Sequence, residues 1–326
     1  MTSSAAAGAP GRPGLLDRKL LFVTGKGGVG KTSVASALGL LAARRGLRTL
    51  VCEVDPKGDL SDFLGTGTLR FTPTEVRENL YAMSMDTEES LREYLRLQLK
   101  VPLLAKLGPL ARTFDFIANA APGVKEILTV GKLTYEVRER HFDLVVVDAS
   151  ATGHVVGQLA SPVAINDLVK VGLVRNQTDW MIDLLTDPAT TGVVVVTVPE
   201  EMPVAETIEL IDRLRTETRI DVASVVVNRV LPELFARNEE ALFDQLRAPE
   251  PTEVLERVAG PGVGKVMDGA ELAVELRRSR VPHLTRLREH LPEGLPVLYQ
   301  PYLFTRSHGV RSTARIADSL GEELGG

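Results

Sequence analysis

Residues 20–33 read LLFVTGKGGVGKTS: five apolar or β-branched residues, Leu20 to Thr24, then Gly25-Lys26-Gly27-Gly28-Val29-Gly30-Lys31-Thr32-Ser33. The apolar run has the composition of a buried strand, and Ser33 to Arg45 has the apolar spacing of a helix. Between them, Gly25-x-x-x-x-Gly30-Lys31-Thr32 matches a nucleoside-triphosphate P-loop. Each residue type has a chemical reason. Glycines put no Cβ between the backbone N–H groups of Gly25, Gly27, Gly28, Val29, Gly30, Lys31, Thr32 and Ser33 and an approaching phosphate. Lys31 supplies a point charge for the β- and γ-phosphates, and the Thr32 hydroxyl is a hard oxygen ligand suited to Mg²⁺. The helix that follows turns its positive end toward the same place.

Outward from this stretch, short β-branched runs recur at 20–24, 49–54, 80–85, 142–148, 192–198, 223–228 and 295–299. Helical patterns separate most of them, most clearly at 31–45, 202–216 and 312–324. Such alternation predicts an α/β fold with a doubly wound, mostly parallel sheet and ligands at the carboxyl ends of its strands. Residues 1–17, rich in Ala, Ser, Gly and Pro, read as a disordered N-terminal lead, with no charged and apolar segments of a signal peptide. Residues 18–326 then form a single domain interrupted by two helical inserts. The first, 87–140, carries Leu91, Tyr94, Leu95, Val101, Leu103, Leu104, Leu107, Leu110, Phe114, Phe116 and Ile117. The second, 231–292, is charged and broken by Gly260-Pro261-Gly262.

Bulk composition narrows the partners. Hydrophobic content is 44% with a mean hydropathy of +0.04, ordinary values for a chain with a substantial core. A net charge of −5, five tyrosines, nine phenylalanines and one tryptophan provide neither a basic face nor a stacking platform, so nucleic acid is not expected. No apolar run reaches the length of a transmembrane segment. The single cysteine, Cys52, cannot form an intrachain disulfide and reads as a small core residue; the expected location is a reducing cytoplasm.

Further site residues stand at strand ends. Phe142-Asp-Leu-Val-Val-Val-Asp148 runs into Ala-Ser-Ala-Thr152-Gly153-His154. A carboxylate at that place can hold the Mg²⁺ shell, and the Gly153 backbone N–H can sense a γ-phosphate. The strand with Cys52 ends in Glu53, Asp55, Asp59 and Asp62, any of which could orient an attacking water on pattern alone.

Lys26, directly after the first glycine, makes the octapeptide GKGGVGKT, which resembles the deviant P-loop of dimeric ATPases: the ArsA, MinD, ParA and nitrogenase iron-protein types. In that group the early lysine reaches the partner's nucleotide, where a cation can do the work of an arginine finger. Asp55–Asp62, DPKGDLSD, resembles the ArsA-type DPAHxLSD, and Asp148–His154, DASATGH, resembles DTAPTGH. From about residue 20 to 320 the chain is similar to ArsA-type ATPases, the family of the arsenite-pump ATPase and the tail-anchored-protein targeting ATPase, and most similar to the actinobacterial ArsA-like anion-transporting ATPases.

That resemblance implies a catalytic set of Lys26, Lys31 and Asp55, with Thr32, Asp55 and Asp148 toward the metal. It makes Gly153 the γ-phosphate sensor, Asn228 the reader of adenine, and Pro301 and Tyr302 the start of the loop over the base. A side-chain amide can pair with adenine N6 and N7, although Asn228 unaided reads as a turn residue. Two departures stand out: Gly58 replaces the family's switch I histidine and Ala151 its switch II proline. The zinc-binding cysteine pair is missing from 231–292, and arsenite, which needs several thiolates, finds only Cys52.

The implied function is a dimeric ATPase using ATP and Mg²⁺ whose nucleotide state governs a hydrophobic client or membrane-protein partner. The dimer would hold two identical chains or this chain and a related ArsA-like subunit. Contact with a membrane would come only through a partner. The 87–140 and 163–185 segments are the candidate client surface, although apolar stripes of this kind more often pack as ordinary core, which is the favoured reading. Two other readings use the same scaffold: a MinD/ParA-like positioning ATPase and an ATP-dependent ligase or kinase. The short acidic C-terminus, Ala317 to Gly326, counts against the membrane-attached version of the former.

Overall fold

The computed structural model describes residues 12–55, 59–99, 123–169, 171–305 and 309–325. Among them run β1 (Leu20–Gly25), α1 (Lys31–Arg44), β2 (Thr49–Glu53), α2 (Asp59–Leu64), β3 (Thr74–Arg77), β4 (Leu80–Ser84) and α3 (Thr87–Leu99). Then come α4 (Val124–Arg138), β5 (Leu144–Asp148), α5 (Thr152–Leu168), α6 (Leu173–Thr186), β6 (Thr191–Thr197) and α7 (Glu201–Arg213). The chain finishes with β7 (Val222–Val230), α8 (Arg237–Leu246), α9 (Pro249–Ala259), α10 (Val263–His290), β8 (Val297–Pro301) and α11 (Val310–Glu323).

The eight strands form one sheet in the order β3-β4-β2-β5-β1-β6-β7-β8. All pairs are parallel except β3 with β4. Helices cover both faces, and the pleat explains why. Along β1, Leu20 and Phe22 point into a core shared with Val130 and Leu133 of α4, Val155 and Leu159 of α5, and Val204 and Leu210 of α7. Leu21 and Val23 point the other way, against Val34, Leu38 and Leu41 of α1 and Ile316 and Leu320 of α11. A strand buried on both faces is apolar along most of its length, and β1, β5 and β6 are, with Thr24, Asp148, Thr191 and Thr197 standing near strand ends. β1 lies between β5 and β6, so the crossovers leave it in opposite directions and open a crevice at its carboxyl end.

Several sequence expectations are corrected. Residues 12–17, assigned to a disordered lead, pack on the body: Leu15 is buried in a short 3₁₀ turn, and Arg12 pairs with Asp221 at 2.9 Å. The reason is Arg18, 1% exposed, which donates to Thr191 O at 2.7 Å and to Asp221 at 2.6 Å. Residues 1–11 of the lead lie outside the described residues. β3 was not foreseen, because Thr74-Glu-Val-Arg77 is short, polar and mostly exposed. The helix expected to run to Thr216 leaves α-geometry after Arg213 and ends in a π-helical turn, Leu214–Thr218, before Arg219 at φ +59°. In the first insert, α3 and α4 are helical, and Val101, Leu103, Leu104, Leu107, Leu110, Phe114, Phe116 and Ile117 lie outside the described residues. The second insert holds α8, α9 and α10.

Candidate nucleotide site

The loop between β1 and α1 is bent by glycine. Gly25, at φ +150°, lies so close to β6 that a Cβ there would overlap the Val196 carbonyl oxygen. Gly30, at φ +98°, is the left-handed residue from which α1 starts, and a Cβ there would strike the Asn228 side-chain nitrogen. Any other residue at either place would be strained and crowded together. The Lys31 ammonium turns back over the loop, 3.4 Å from the Lys26 carbonyl.

Beside this loop, β5 delivers Asp148. The Thr32 hydroxyl donates to Asp148 Oδ2 at 2.7 Å, while Oδ1 is buried without a hydrogen-bond partner. Burial pushes the Asp148 carboxyl up to about 6, with the Thr32 hydrogen bond and the Lys31 charge pulling the other way. An unsatisfied buried carboxylate oxygen next to a hydroxyl fits a hard cation such as Mg²⁺. Among the described residues no group of three His, Cys, Asp or Glu side chains is placed to hold a metal ion, so phosphate and water oxygens would have to complete the shell, as Mg²⁺ favours.

The segment after β5 is tied to the same corner. Thr24 Oγ1 donates to the Ser150 carbonyl at 2.8 Å, and Ala149 N to the Val23 carbonyl at 3.0 Å. α5 then begins at Thr152 and Gly153, and a Cβ added to Gly153 would meet open space. Glu53, in register with Asp148, is buried at the end of β2; burial raises its carboxyl, and a hydrogen bond to Ser84 opposes the rise. Asp55, two residues on, is exposed, and Gly58 lies outside the described residues. Of the four acids that the pattern left open, Glu53 is committed to the interior, and Asp55, Asp59 and Asp62 face solvent.

Two residues behave as sequence alone did not reveal. Lys26 forms an ion pair with Glu206 of α7, and the other oxygen of Glu206 accepts from Thr152 Oγ1 at 3.4 Å. Glu206 was not singled out, because a lone glutamate on an amphipathic helix gives no signal. Asn228 is no turn residue: it sits buried in β7 and donates to the Val29 carbonyl at 2.8 Å. Next to it, Arg229 adopts φ +58°. Pro301 ends β8, and Tyr302 N donates to the Val230 carbonyl at 2.8 Å, which ties the candidate base loop to the end of β7. Tyr302 packs edge-on against Phe304, ring centroids 4.8 Å apart, and Phe304 is 71% exposed.

With this geometry in view, the family relationship is decisive. The family model described as "Anion-transporting ATPase" matches residues 18–182 and 164–255. The chain belongs to the ArsA family of ATPases. It is 30% identical over 243 residues to the ATPase BagA of Mycobacterium tuberculosis, covering 71% of each chain. It is 29% identical to the ATPase ASNA1 homolog 1 of Paramecium tetraurelia, over 65% of this chain and 75% of that one. With the ATPase ASNA1 homolog of Plasmodium falciparum the identity is 24%, over 92% of this chain and 86% of the other. This ArsA-family chain is therefore an ATPase. Among its described residues no helix is long and apolar enough to cross a membrane.

Proposed function

We propose that the chain works as a Mg²⁺-dependent dimeric ATPase whose nucleotide state controls binding of a hydrophobic client or membrane-protein partner. The dimer would contain two such chains or one chain and a related ArsA-like subunit. One observation carries the reading. α5 starts at Thr152 and Gly153 beside the phosphate corner, runs 17 residues (about 25 Å at 1.5 Å per residue), and brings Ile165 to an apolar cavity walled by α3, α4 and α6. A continuous helix that touches both places, even with Pro162 inside it, can pass a small displacement from one to the other.

Within this reading the amides of Gly27 to Ser33 and the Lys31 ammonium cradle the phosphates, and Thr32 and Asp148 hold Mg²⁺, which supplies charge neutralisation to the triphosphate. Asp55 orients the attacking water. Gly153 offers its N–H to the γ-phosphate. Asn228 reads adenine while its other interaction braces the loop, and Pro301 and Tyr302 begin the segment over the base. Lys26 exchanges Glu206 for the nucleotide of the facing subunit.

The test is ATP turnover and sedimentation of wild type, Asp55→Asn and Lys26→Ala, each with a non-hydrolysable ATP analogue and, in a second series, with a candidate partner subunit. The expected result is nucleotide-dependent dimerisation of wild type, retained in Asp55→Asn with turnover lost. Turnover by a strictly monomeric chain, unchanged in both variants, would overturn the reading.

A further inference from the structure

The cavity between α3, α4 and α6 has a volume of about 240 Å³ and a mixed lining. Most of the wall is apolar, contributed by Leu91, Ile127, Trp180 and Met181 among others. Part of the space exists because of Gly131 in the middle of α4, where a Cβ would come 3.1 Å from Met181 Cε. Glycine inside a helix costs about 1 kcal/mol relative to alanine, a cost that leaves this volume open.

The lining has one charged region. Lys132 Nζ lies 2.7 Å from Glu93 Oε2 and 2.6 Å from Glu136 Oε1, and both Glu93 and Lys132 line the cavity. Burial pulls the Lys132 ammonium down, yet the hydrogen bonds to Glu136 and Glu93 win and hold it above its ordinary value. Two carboxylates thus share one ammonium. The more exposed His141 approaches Glu136 at 2.7 Å, while Glu93, whose two oxygens lie 2.9 and 2.7 Å from the Lys132 ammonium, lines the cavity with its side chain still partly exposed.

We propose that this cavity binds a single-chain amphiphile: one alkyl chain among the apolar side chains and a hydrogen-bond-donating, non-anionic head at Glu93. Size and charge together select that class. A membrane-spanning helix of about 20 residues is roughly 30 Å long and 10 Å wide, several times the space available. An anionic head would face the carboxylate surplus, whereas an amine finds an acceptor in Glu93. Control of this binding by nucleotide rests on the function proposed above; the binding itself does not.

The chain's one tryptophan, Trp180, lies in the wall and serves as the reporter. The full chain is titrated with decylamine, with decanoate and with a 20-residue apolar helical peptide, while Trp180 emission is followed. Decylamine is expected to give a saturable change at a concentration at least tenfold below decanoate. Gly131→Leu, which fills the cavity, is expected to abolish it. Glu93→Gln is expected to narrow the difference between the two heads to within about threefold. Val174→Phe, at the same wall from α6, stands in should Gly131→Leu fail to fold.

Emission unmoved by decylamine, a response that persists in the filled variants, or tighter binding of the peptide than of decylamine overturns the proposal. Titration of the same samples with a fluorescent ATP analogue separates the two claims. Loss of nucleotide binding with amphiphile binding intact would count against the ATPase cycle alone, and the reverse against the cavity alone.

Discussion

The Thr32 hydroxyl donates to one oxygen of Asp148 at 2.7 Å, and the second oxygen of that carboxylate is buried with nothing to bond. Chemistry and stability therefore pull in opposite directions at this residue. Asp148→Asn is expected to lower Mg²⁺-dependent turnover at least a hundredfold, because a neutral amide cannot hold the cation. The same change removes a desolvated charge, so the metal-free chain should gain about 1–3 kcal/mol at neutral pH. Urea melts with and without Mg²⁺ check both; a destabilised metal-free variant would contradict the account.

The pH dependence follows from the same carboxyl, whose value rises from an ordinary 3.8 to about 6. Between those values the folded chain holds the proton more tightly than the unfolded chain. Its contribution to stability is thus complete below about pH 4 and disappears as pH rises through about 6, a difference on the order of 3 kcal/mol. The stability difference between wild type and Asp148→Asn, measured without Mg²⁺ from pH 4 to 8, should widen in the variant's favour up to about pH 6.5 and then level off. A flat difference would mean that Asp148 titrates as an ordinary surface acid.

Lys26 is bound to Glu206 within its own chain, so its proposed work begins with the exchange of that partner. Lys26→Ala is expected to reduce turnover by about 10³–10⁵, the range set by losing a transition-state cation, while equilibrium ATP binding changes only a few-fold. Glu206→Gln should lower the nucleotide concentration needed for association by a few-fold, since a half-exposed ion pair is worth under about 1 kcal/mol. Single-turnover kinetics and sedimentation supply the two readings; loss of binding in Lys26→Ala equal to its loss of turnover would assign the residue to the ground state instead.

Asn228 joins β7 to the phosphate loop through Val29. Asn228→Ala leaves the Val29 carbonyl without this donor and should cost roughly 1–3 kcal/mol of stability. If its amide also reads adenine, ATP affinity falls more than GTP affinity. Competition binding with the two nucleotides decides it; an equal loss would restrict Asn228 to holding the loop.

At the opposite end of the sheet, Asp221 neutralises Arg18, which is buried and also engages Thr191. Asp221→Ala strands that guanidinium and is expected to destabilise the chain by about 3 kcal/mol with ATP turnover per folded molecule unchanged. Denaturant midpoints give the first number and active-site titration the second.

What could be read in advance divides along physical lines. β1, β5 and β6 are apolar on both faces, and a run such as Val193 to Val198 has no other place to go than the middle of a parallel sheet. Thr74–Arg77 escaped because an edge strand with charged, exposed side chains carries no such pattern. At the candidate site, Gly25 to Ser33 and Asp148 stand out in the sequence because close approach to a phosphate or a metal would restrict residue type. Glu206 and the packing of Asn228 against Val29 were not, because both depend on which strands become neighbours. Arg12 and Arg18 were hidden for the same reason: their partner, Asp221, is about two hundred residues away.

The two margins of the sheet have a bearing on how copies can meet. β3 closes one margin with four residues, three of them polar, running against its neighbour, and β8 closes the other with a proline that has no N–H to donate. Neither offers the long row of open amides and carbonyls on which a foreign strand could zip, so growth of stacked ribbons is disfavoured. The dimer proposed above would then have to form away from these margins, by a two-fold encounter that satisfies both molecules at once.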